Sequence, residues 1–145
     1  MTFHKFRVLV VAGLLAGLVA GPPTLQQVGA TDPCLPVSSA PRPPIGDPEV
    51  TVAGRVIDAA TGGGIAEVAM DLFRCGTSSA TLVAQVASDS GGYYAFEGVT
   101  AGHYYYVEAE PNGPLEQMVV ASGSQNPSDA IGLGDSATGV NFAFE

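Results

Sequence analysis

Acid–base chemistry has few residues to carry it in this sequence. The chain has two histidines, His4 and His103, and His4 falls within the first thirty residues. A hydrolase triad would place an activated serine and an acid beside His103, but the chain contains no Gly-x-Ser-x-Gly motif. A zinc peptidase would need several histidine and glutamate ligands, which one histidine does not supply. We therefore predict no catalytic residue and no enzymatic activity, and we interpret His103 as the first residue of a strand.

Calcium binding is a second chemistry that the residue types allow. Calcium takes six to eight oxygen ligands, so a site needs several carboxylates close together. The candidates near turns are Asp58 and Asp89, with Asp129 and Asp135 later in the chain, and the turn after Asp58, AATGGG, has no acidic residue. An aspartate at a turn also stabilises that turn through its own side chain. We expect no metal and no other cofactor, and Asp58 and Asp89 are the positions where a weak calcium site would form.

Stacking on sugar rings is a third chemistry. All five tyrosines lie in residues 91–106, GGYYAFEGVTAGHYYY, and the chain has no tryptophan. Alternate residues of a strand face opposite sides, so Tyr94 and Phe96 share one face and are expected in the core. The positions left for stacking on a glycan are Tyr93 and Tyr105.

The first thirty residues have the pattern of a secretory signal. Lys5 and Arg7 precede an apolar run over residues 8–20, which is too short to cross the ~30 Å hydrocarbon layer as a helix. Small residues stand at the last and third-last places before position 31, as a signal peptidase requires. We predict a signal peptide over residues 1–30, cleaved after Ala30, with cleavage after Ala20 or an uncleaved anchor as alternatives. The mature protein is then secreted and extracellular, with no membrane contact.

The mature chain is acidic and has two cysteines. Three arginines remain against fourteen acidic residues, a net charge of −11. Nucleic-acid affinity rests on basic residues that neutralise phosphates, so we predict no nucleic-acid partner. In an oxidising compartment an even pair of cysteines normally forms a disulfide, so we predict a bond between Cys34 and Cys75.

Proline and glycine divide the mature chain into an arm and a β-rich domain. Residues 31–49 hold six prolines and little apolar periodicity, which predicts an extended linker pinned by Cys34. From residue 50 onward, short alternating runs are separated by glycine-rich turns, and no helical period is sustained. The predicted strands cover residues 50–58, 66–74, 82–88, 93–97, 103–110, 116–121 and 139–145. Seven strands at this spacing predict one antiparallel β-sandwich over residues 50–145.

Three stretches of the domain resemble a known superfamily. Residues 52–73, VAGRVIDAATGGGIAEVAMDLF, residues 88–110, SDSGGYYAFEGVTAGHYYYVEAE, and residues 139–145, GVNFAFE, follow its pattern in the same order. The chain resembles carboxypeptidase regulatory-like domains and the B-type domains of serine–aspartate-repeat and collagen adhesins. That resemblance implies a prealbumin-like or immunoglobulin-like sandwich. It also implies a core motif made of Gly92, Tyr94, Phe96, Val99, Gly102 and Tyr104.

The resemblance and the alternation disagree about one strand. The superfamily pattern places Tyr104 inside, whereas plain alternation with Val107 and Ala109 places Tyr105 inside. A bulge near Tyr105 would reconcile them. This choice also decides whether Tyr105 is available to a sugar.

The functional expectation is a non-catalytic module. The superfamily implies a role in adhesion, surface assembly or interaction with an extracellular protein or polysaccharide, and related sandwiches that bind starch-like glycans supply the alternative of a carbohydrate-binding module. Collagen-adhesin relatives lock themselves with a lysine isopeptide bond, but the only lysine here, Lys5, lies in the predicted signal. The mature domain is therefore expected to depend on its core and its disulfide.

Overall fold

A computed structural model describes residues 32–38 and 40–145, so the predicted signal peptide lies outside the described residues. Short runs of alternating apolar residues form strands, and the glycine-rich segments between them form turns. The strands are β1 (Glu49–Asp58), β2 (Ala69–Cys75), β3 (Ala80–Ala87), β4 (Tyr93–Thr100), β5 (His103–Ala109), β6 (Ile131–Leu133) and β7 (Phe142–Phe144). Two 3-10 turns cover Leu35–Val37 and Gly113–Leu115. None of the helices in this part of the chain is long and apolar enough to span a membrane.

The seven strands form two facing sheets. One sheet has the order β4-β1-β7 and the other has the order β3-β2-β5-β6. All pairings are antiparallel except that of β1 with β7, so the expectation of a purely antiparallel sandwich is wrong. The reason is that the chain before β7 already runs alongside β1 in the same direction, with the Ala53 amide donating to Ala137 and the Val140 amide donating to Ala53. β7 continues that parallel path.

The core lies between the sheets and is made by the inward positions of the strands, to which β3 adds only the half-buried Ala84 and Val86. Its largest fully buried side chains are Phe96, Phe142, Met70, Leu72, Leu115 and Leu133. Tyr94 joins them, with its ring edge-on to Phe96 and its hydroxyl donating to the Val140 carbonyl. Burial raises the pKa of Tyr94 far above its usual range, which keeps that hydroxyl a donor.

Alternation, and not the superfamily pattern, describes β5. Tyr105 is 2% exposed and its hydroxyl donates a 2.7 Å bond to the Thr100 carbonyl. Tyr104 is half-buried on the opposite face, where its hydroxyl reaches the Pro41 carbonyl at 3.2 Å. The register of β5 with β2 and β6 is uninterrupted, and the irregularities fall instead in the β1–β4 and β2–β3 pairings. The expectation that Tyr104 lies in the core is therefore wrong, and Tyr105 takes that position.

The sixth predicted strand is also wrong. Residues 116–121 follow the turn Gly113–Leu115 and contribute one isolated bridge, from Val120 to Phe144. Pro114 in that turn fixes its backbone angle and donates no hydrogen bond, which favours a turn over a ladder. The sixth strand is instead Ile131–Leu133, between the predicted strands 116–121 and 139–145.

The proline-rich arm packs along the four-stranded sheet. Cys34 is bonded to Cys75 at the end of β2, which confirms the predicted disulfide. Pro43 is buried, and the Gly46 amide donates a 2.9 Å bond to the Gly134 carbonyl beyond β6. From residue 32 onward the segment predicted as a linker therefore crosses from β2 to β6 before it enters β1.

Candidate functional site

An open groove of about 770 Å³ lies on the outer side of the β4-β1-β7 sheet. Its floor is made of small side chains because Ala53 on β1 faces Ala95 on β4. One wall is the next cross-strand pair, Arg55 and Tyr93. The loop before β7 and the end of β3 complete the lining with Thr138, Gly139, Asn141, Val86, Ala87 and Asp89.

Arg55 is the cationic group of this groove and it is held in place. Its guanidinium carbon lies 4.9 Å from the centre of the Tyr93 ring. Its Nε donates a 2.9 Å bond to the Gly91 carbonyl, and the backbone amide of Arg55 donates to Asn141 Oδ1 at 2.9 Å. A guanidinium over a tyrosine ring forms a cation–π contact, and its remaining donors suit an acidic or carbonyl group. The groove is therefore equipped for binding a polar or extended ligand.

The two candidates for glycan stacking have different outcomes. Tyr93 is 57% exposed, but the Arg55 guanidinium lies over its ring. Tyr105 is buried in the core and has no face open to a sugar, so its assignment to glycan stacking is corrected. The structure does not bring the two rings together on one surface.

Asp58 and Asp89 each stabilise a turn. Asp58 Oδ1 accepts bonds from the amides of Ala60 and Thr61 at 2.8 and 3.3 Å. Asp89 Oδ1 accepts bonds from the amides of Gly91 and Tyr93 at 2.8 and 2.9 Å. Across residues 32–38 and 40–145, no group of three or more His, Cys, Asp or Glu side chains is arranged to hold a metal ion.

His103 starts β5, as predicted, and lies edge-on to Tyr105 with ring centres 6.3 Å apart. Partial desolvation, and then the nearby charges of Arg74 and Arg42, lower the pKa of His103. The imidazole is therefore neutral at neutral pH, and its ring is half-buried beside Tyr105.

The glycines of the core motif explain the turns on either side of β4. Gly92 has a φ of +80°, and a side chain there would overlap with the Val56 carbonyl. Gly102 also has a φ of +80° and lies against Ile45 of the arm. Tyr94, Phe96 and Val99 are buried between them on the inner face of β4.

A row of carboxylates on the outer face of the other sheet was missed by sequence reasoning. Asp71 is 4% exposed and lies directly opposite Glu108, and Gln85 Nε2 donates a 2.7 Å bond to Asp71 Oδ1 from the other side. Burial, then Glu110, then Asp71 raise the pKa of Glu108. A hydrogen bond and the charge of Asp71 raise the pKa of Glu110, while Asn112 opposes the shift. Only the strand register brings Asp71 and Gln85 next to Glu108, because these three residues lie on three different strands that are far apart in sequence.

Comparison with known proteins identifies the fold but no family. No family model matches the chain, and no curated protein matches it significantly. A streptococcal ancillary pilin superposes with a TM-score of 0.51 at 19% identity, over 68% of this chain and 30% of the pilin. The group B streptococcus pilus 2b backbone protein gives 0.45 at 14% identity over 66% and 41%, and (S)-allantoin synthase gives 0.48 at 14% over 70% and 44%.

These similarities extend to one sandwich domain. The chain spans less than half the length of each of the three proteins. At 19% identity the similarity to the ancillary pilin indicates a shared β-sandwich fold, and fold alone does not define function. The TM-scores of the pilus 2b backbone protein and of (S)-allantoin synthase are below 0.5, so no structural conclusion rests on them.

Proposed function

We propose that this chain is a secreted, non-catalytic β-sandwich module that acts in adhesion or surface assembly by binding another extracellular protein. Within that proposal, the domain is related to carboxypeptidase regulatory-like and adhesin B-type domains, as its three sequence stretches imply. A cofactor is not part of the proposed activity.

The observation that carries the proposal is the bond between Cys34 and Cys75. Disulfides form and persist in oxidising compartments outside the cytosol, which agrees with the signal sequence predicted over residues 1–30. The bond fixes an arm that covers the sheet face between β2 and β6, so its effect on this module is structural.

The fold and the groove support a binding role. Over 68% of its own length, this chain shares the sandwich fold of the streptococcal ancillary pilin. The groove beside Arg55 and Tyr93 offers a cation, an aromatic ring and a floor of alanines. An extended segment of a protein with an acidic side chain fits this combination, because the guanidinium pairs with a carboxylate while the small floor admits a backbone.

The carbohydrate-binding alternative has no comparable support. It depends on exposed aromatic rings, and one of its two candidate rings, Tyr105, is buried. We therefore retain a protein partner as the proposal.

Locating the protein in its native cells tests this function. Immunoblots of the culture medium, the cell surface after protease shaving, and the cytosol are expected to place the protein outside the cytosol, in its oxidised form and without the predicted signal peptide. Chemical cross-linking on intact cells is then expected to capture an extracellular protein, and an Arg55→Ala, Tyr93→Ala double variant is expected to lose that partner. A reduced protein confined to the cytosol would contradict secretion, and capture unaffected by the double variant would exclude the groove.

A further inference from the structure

The strand edges of the two sheets differ in how they are protected. Each sheet has two edges, so the sandwich has four, at β4 and β7 in one sheet and at β3 and β6 in the other. An exposed edge presents unpaired backbone N–H and C=O groups that can pair with another strand. Natural proteins block such edges with charges, prolines, bulges, very short strands or covering segments.

Two of the four edges are covered by other parts of the chain. The segment before residue 122 lies along β7, where the amides of Val119 and Ala121 donate 2.9 Å bonds to Glu145 and Ala143. β6 is three residues long, and the arm lies beside it, with Pro43 close to Gly132. Neither edge is available to a second molecule.

The β4 edge is protected in another way. Its outward residue Glu97 is exposed and charged, and Gly98 follows with a φ of +66°. The pairing of β4 with β1 is irregular at the same level, between Val50 and Val52. A charge and a distorted backbone together oppose edge-to-edge pairing.

β3 has the least protection. It is eight residues long, reads ATLVAQVA, and contains no charged residue and no proline. Leu82 and Val83 are 49% and 43% exposed, although both are apolar. Its one protective feature is an extra residue opposite β2, because Leu72 faces Ala84 while Phe73 faces Leu82. From Ala84 to Ala87 the ladder is regular.

We propose that the β3 edge is a self-association surface, on which β3 of a second copy pairs antiparallel and joins the two four-stranded sheets. A strand edge meets itself antiparallel about a two-fold axis, so one surface serves both copies. The absence of charge on β3 allows this occupant, because two-fold pairing of the strand sets no like charges opposite each other. Two copies of a chain with fourteen acidic residues repel each other, and β3 offers them an uncharged strip of eight residues on which to meet.

The chemistry next to the edge agrees with that pairing. Leu82 lies opposite Phe73, and Phe73 stacks on Tyr106 with ring centres 4.9 Å apart. The partner strand would therefore cover Leu82 and Val83 and extend this apolar row. An interface built on one strand is smaller than the ~1,600 Å² of a standard protein–protein interface. We accordingly expect a weak dimer that forms at high concentration and that strengthens with salt, because salt screens the acidic repulsion.

Sedimentation velocity of the oxidised protein without its predicted signal peptide, from micromolar to millimolar concentration and at low and high salt, tests this proposal. The parent is expected to shift from monomer to dimer. The Val83→Lys variant is expected to raise the dimer dissociation constant at least about fivefold, because each copy brings a lysine into the shared sheet. Val119→Lys is the matched control, since Val119 is also an exposed valine, at 63%, and lies on the segment that covers the β7 edge, away from β3. It is expected to dimerise like the parent.

Hydrogen exchange supplies a second measurement that does not depend on a variant. Amides of β3 are expected to gain protection as the concentration rises, while amides of β4 remain unchanged. A protein that stays monomeric at millimolar concentration and high salt would overturn the proposal. So would a dimer that Val83→Lys leaves intact, or concentration-dependent protection that appears in β4 and not in β3. Self-association does not depend on the proposed adhesive function, so either can fail alone.

Discussion

Asp71 on β2 lies directly opposite Glu108 on β5, so the four-stranded sheet holds two carboxylates side by side, one of them almost completely buried. Gln85 faces Asp71 from β3, and Glu110 directly follows the end of β5, with Asn112 donating a 2.8 Å bond to it. Burial, then the charges of Glu108 and of Asp32 in the arm, raise the pKa of the Tyr106 hydroxyl. Like charges directly opposite each other destabilise a sheet.

This arrangement predicts that the destabilising contribution of Glu108 is relieved on acidification. Burial, Glu110 and Asp71 raise the pKa of Glu108 above 4.5, so the folded state binds more protons than the unfolded chain between that value and the raised pKa. The contribution of Glu108 to the free energy of unfolding therefore falls as pH rises through this window. Glu108→Gln is expected to stabilise the protein at pH 7 by up to about 1 kcal/mol. Urea unfolding of parent and variant should show the difference narrowing as the pH is lowered, and a constant difference would contradict the prediction.

The turn aspartates lead to a prediction about metal dependence. Asp89 Oδ1 already accepts two backbone amides, so Asp89→Ala is expected to cost about 1 kcal/mol. Asp89→Asn keeps the acceptor oxygen and is expected to recover most of that loss. Neither calcium nor EDTA is expected to move the melting temperature of any of the three proteins. A rise in the parent's melting temperature on adding calcium would show a site that the turn geometry does not explain.

The inner face of β4 packs against the core and its outer face does not, which predicts a clear contrast between neighbouring aromatic residues. Phe96 is 2% exposed, so Phe96→Ala is expected to cost roughly 3–5 kcal/mol. Tyr93 on the opposite face is 57% exposed, so Tyr93→Ala is expected to change the free energy of unfolding by less than about 1 kcal/mol. Equal urea midpoints for the two variants would mean that the β4 register is wrong.

Much of the fold could be predicted from the sequence because most strands alternate apolar and polar residues, and this pattern is visible within the strand itself. β1, β2 and β4 were found from their own apolar positions, and alternation alone placed Tyr105 inside. β6 was missed since its three residues, one of them glycine, are too few to show a period. The parallel pairing of β7 and the carboxylate row depend on partners that are distant in sequence, and neither has a local signature.

The segment before β7 passes so close to β1 that adding a side chain at Gly54 is expected to lower stability. Gly54 faces inward, and a side chain there would overlap with the Val140 carbonyl, which also accepts the Tyr94 hydroxyl. Gly54→Ala is therefore expected to cost about 1–3 kcal/mol, because backbone must shift to make room. Gly63→Ala is the control, since its nearest neighbour is the Thr61 hydroxyl at 3.2 Å. Thermal melts should separate the two variants, and similar stabilities would show that the segment before β7 moves away from β1 at little cost.

The arm and its disulfide predict how much the protein depends on oxidation. Cys34 and Cys75 are 41 positions apart, for which loop closure gives an upper bound of about 4 kcal/mol. Pro43 is buried and Gly46 is bonded to Gly134, so contacts other than the disulfide already restrain part of that loop. Reduction, or a Cys34→Ser, Cys75→Ser double variant, is expected to lower the free energy of unfolding by less than this bound while the sandwich stays folded.

The Tyr104 hydroxyl reaches the arm at Pro41, so Tyr104→Phe should lower the stability of the reduced protein more than that of the oxidised one. Urea unfolding of the parent and of Tyr104→Phe, each oxidised and reduced, checks this. Equal midpoints for the reduced and the oxidised parent would mean that the disulfide-bonded arm contributes nothing to stability.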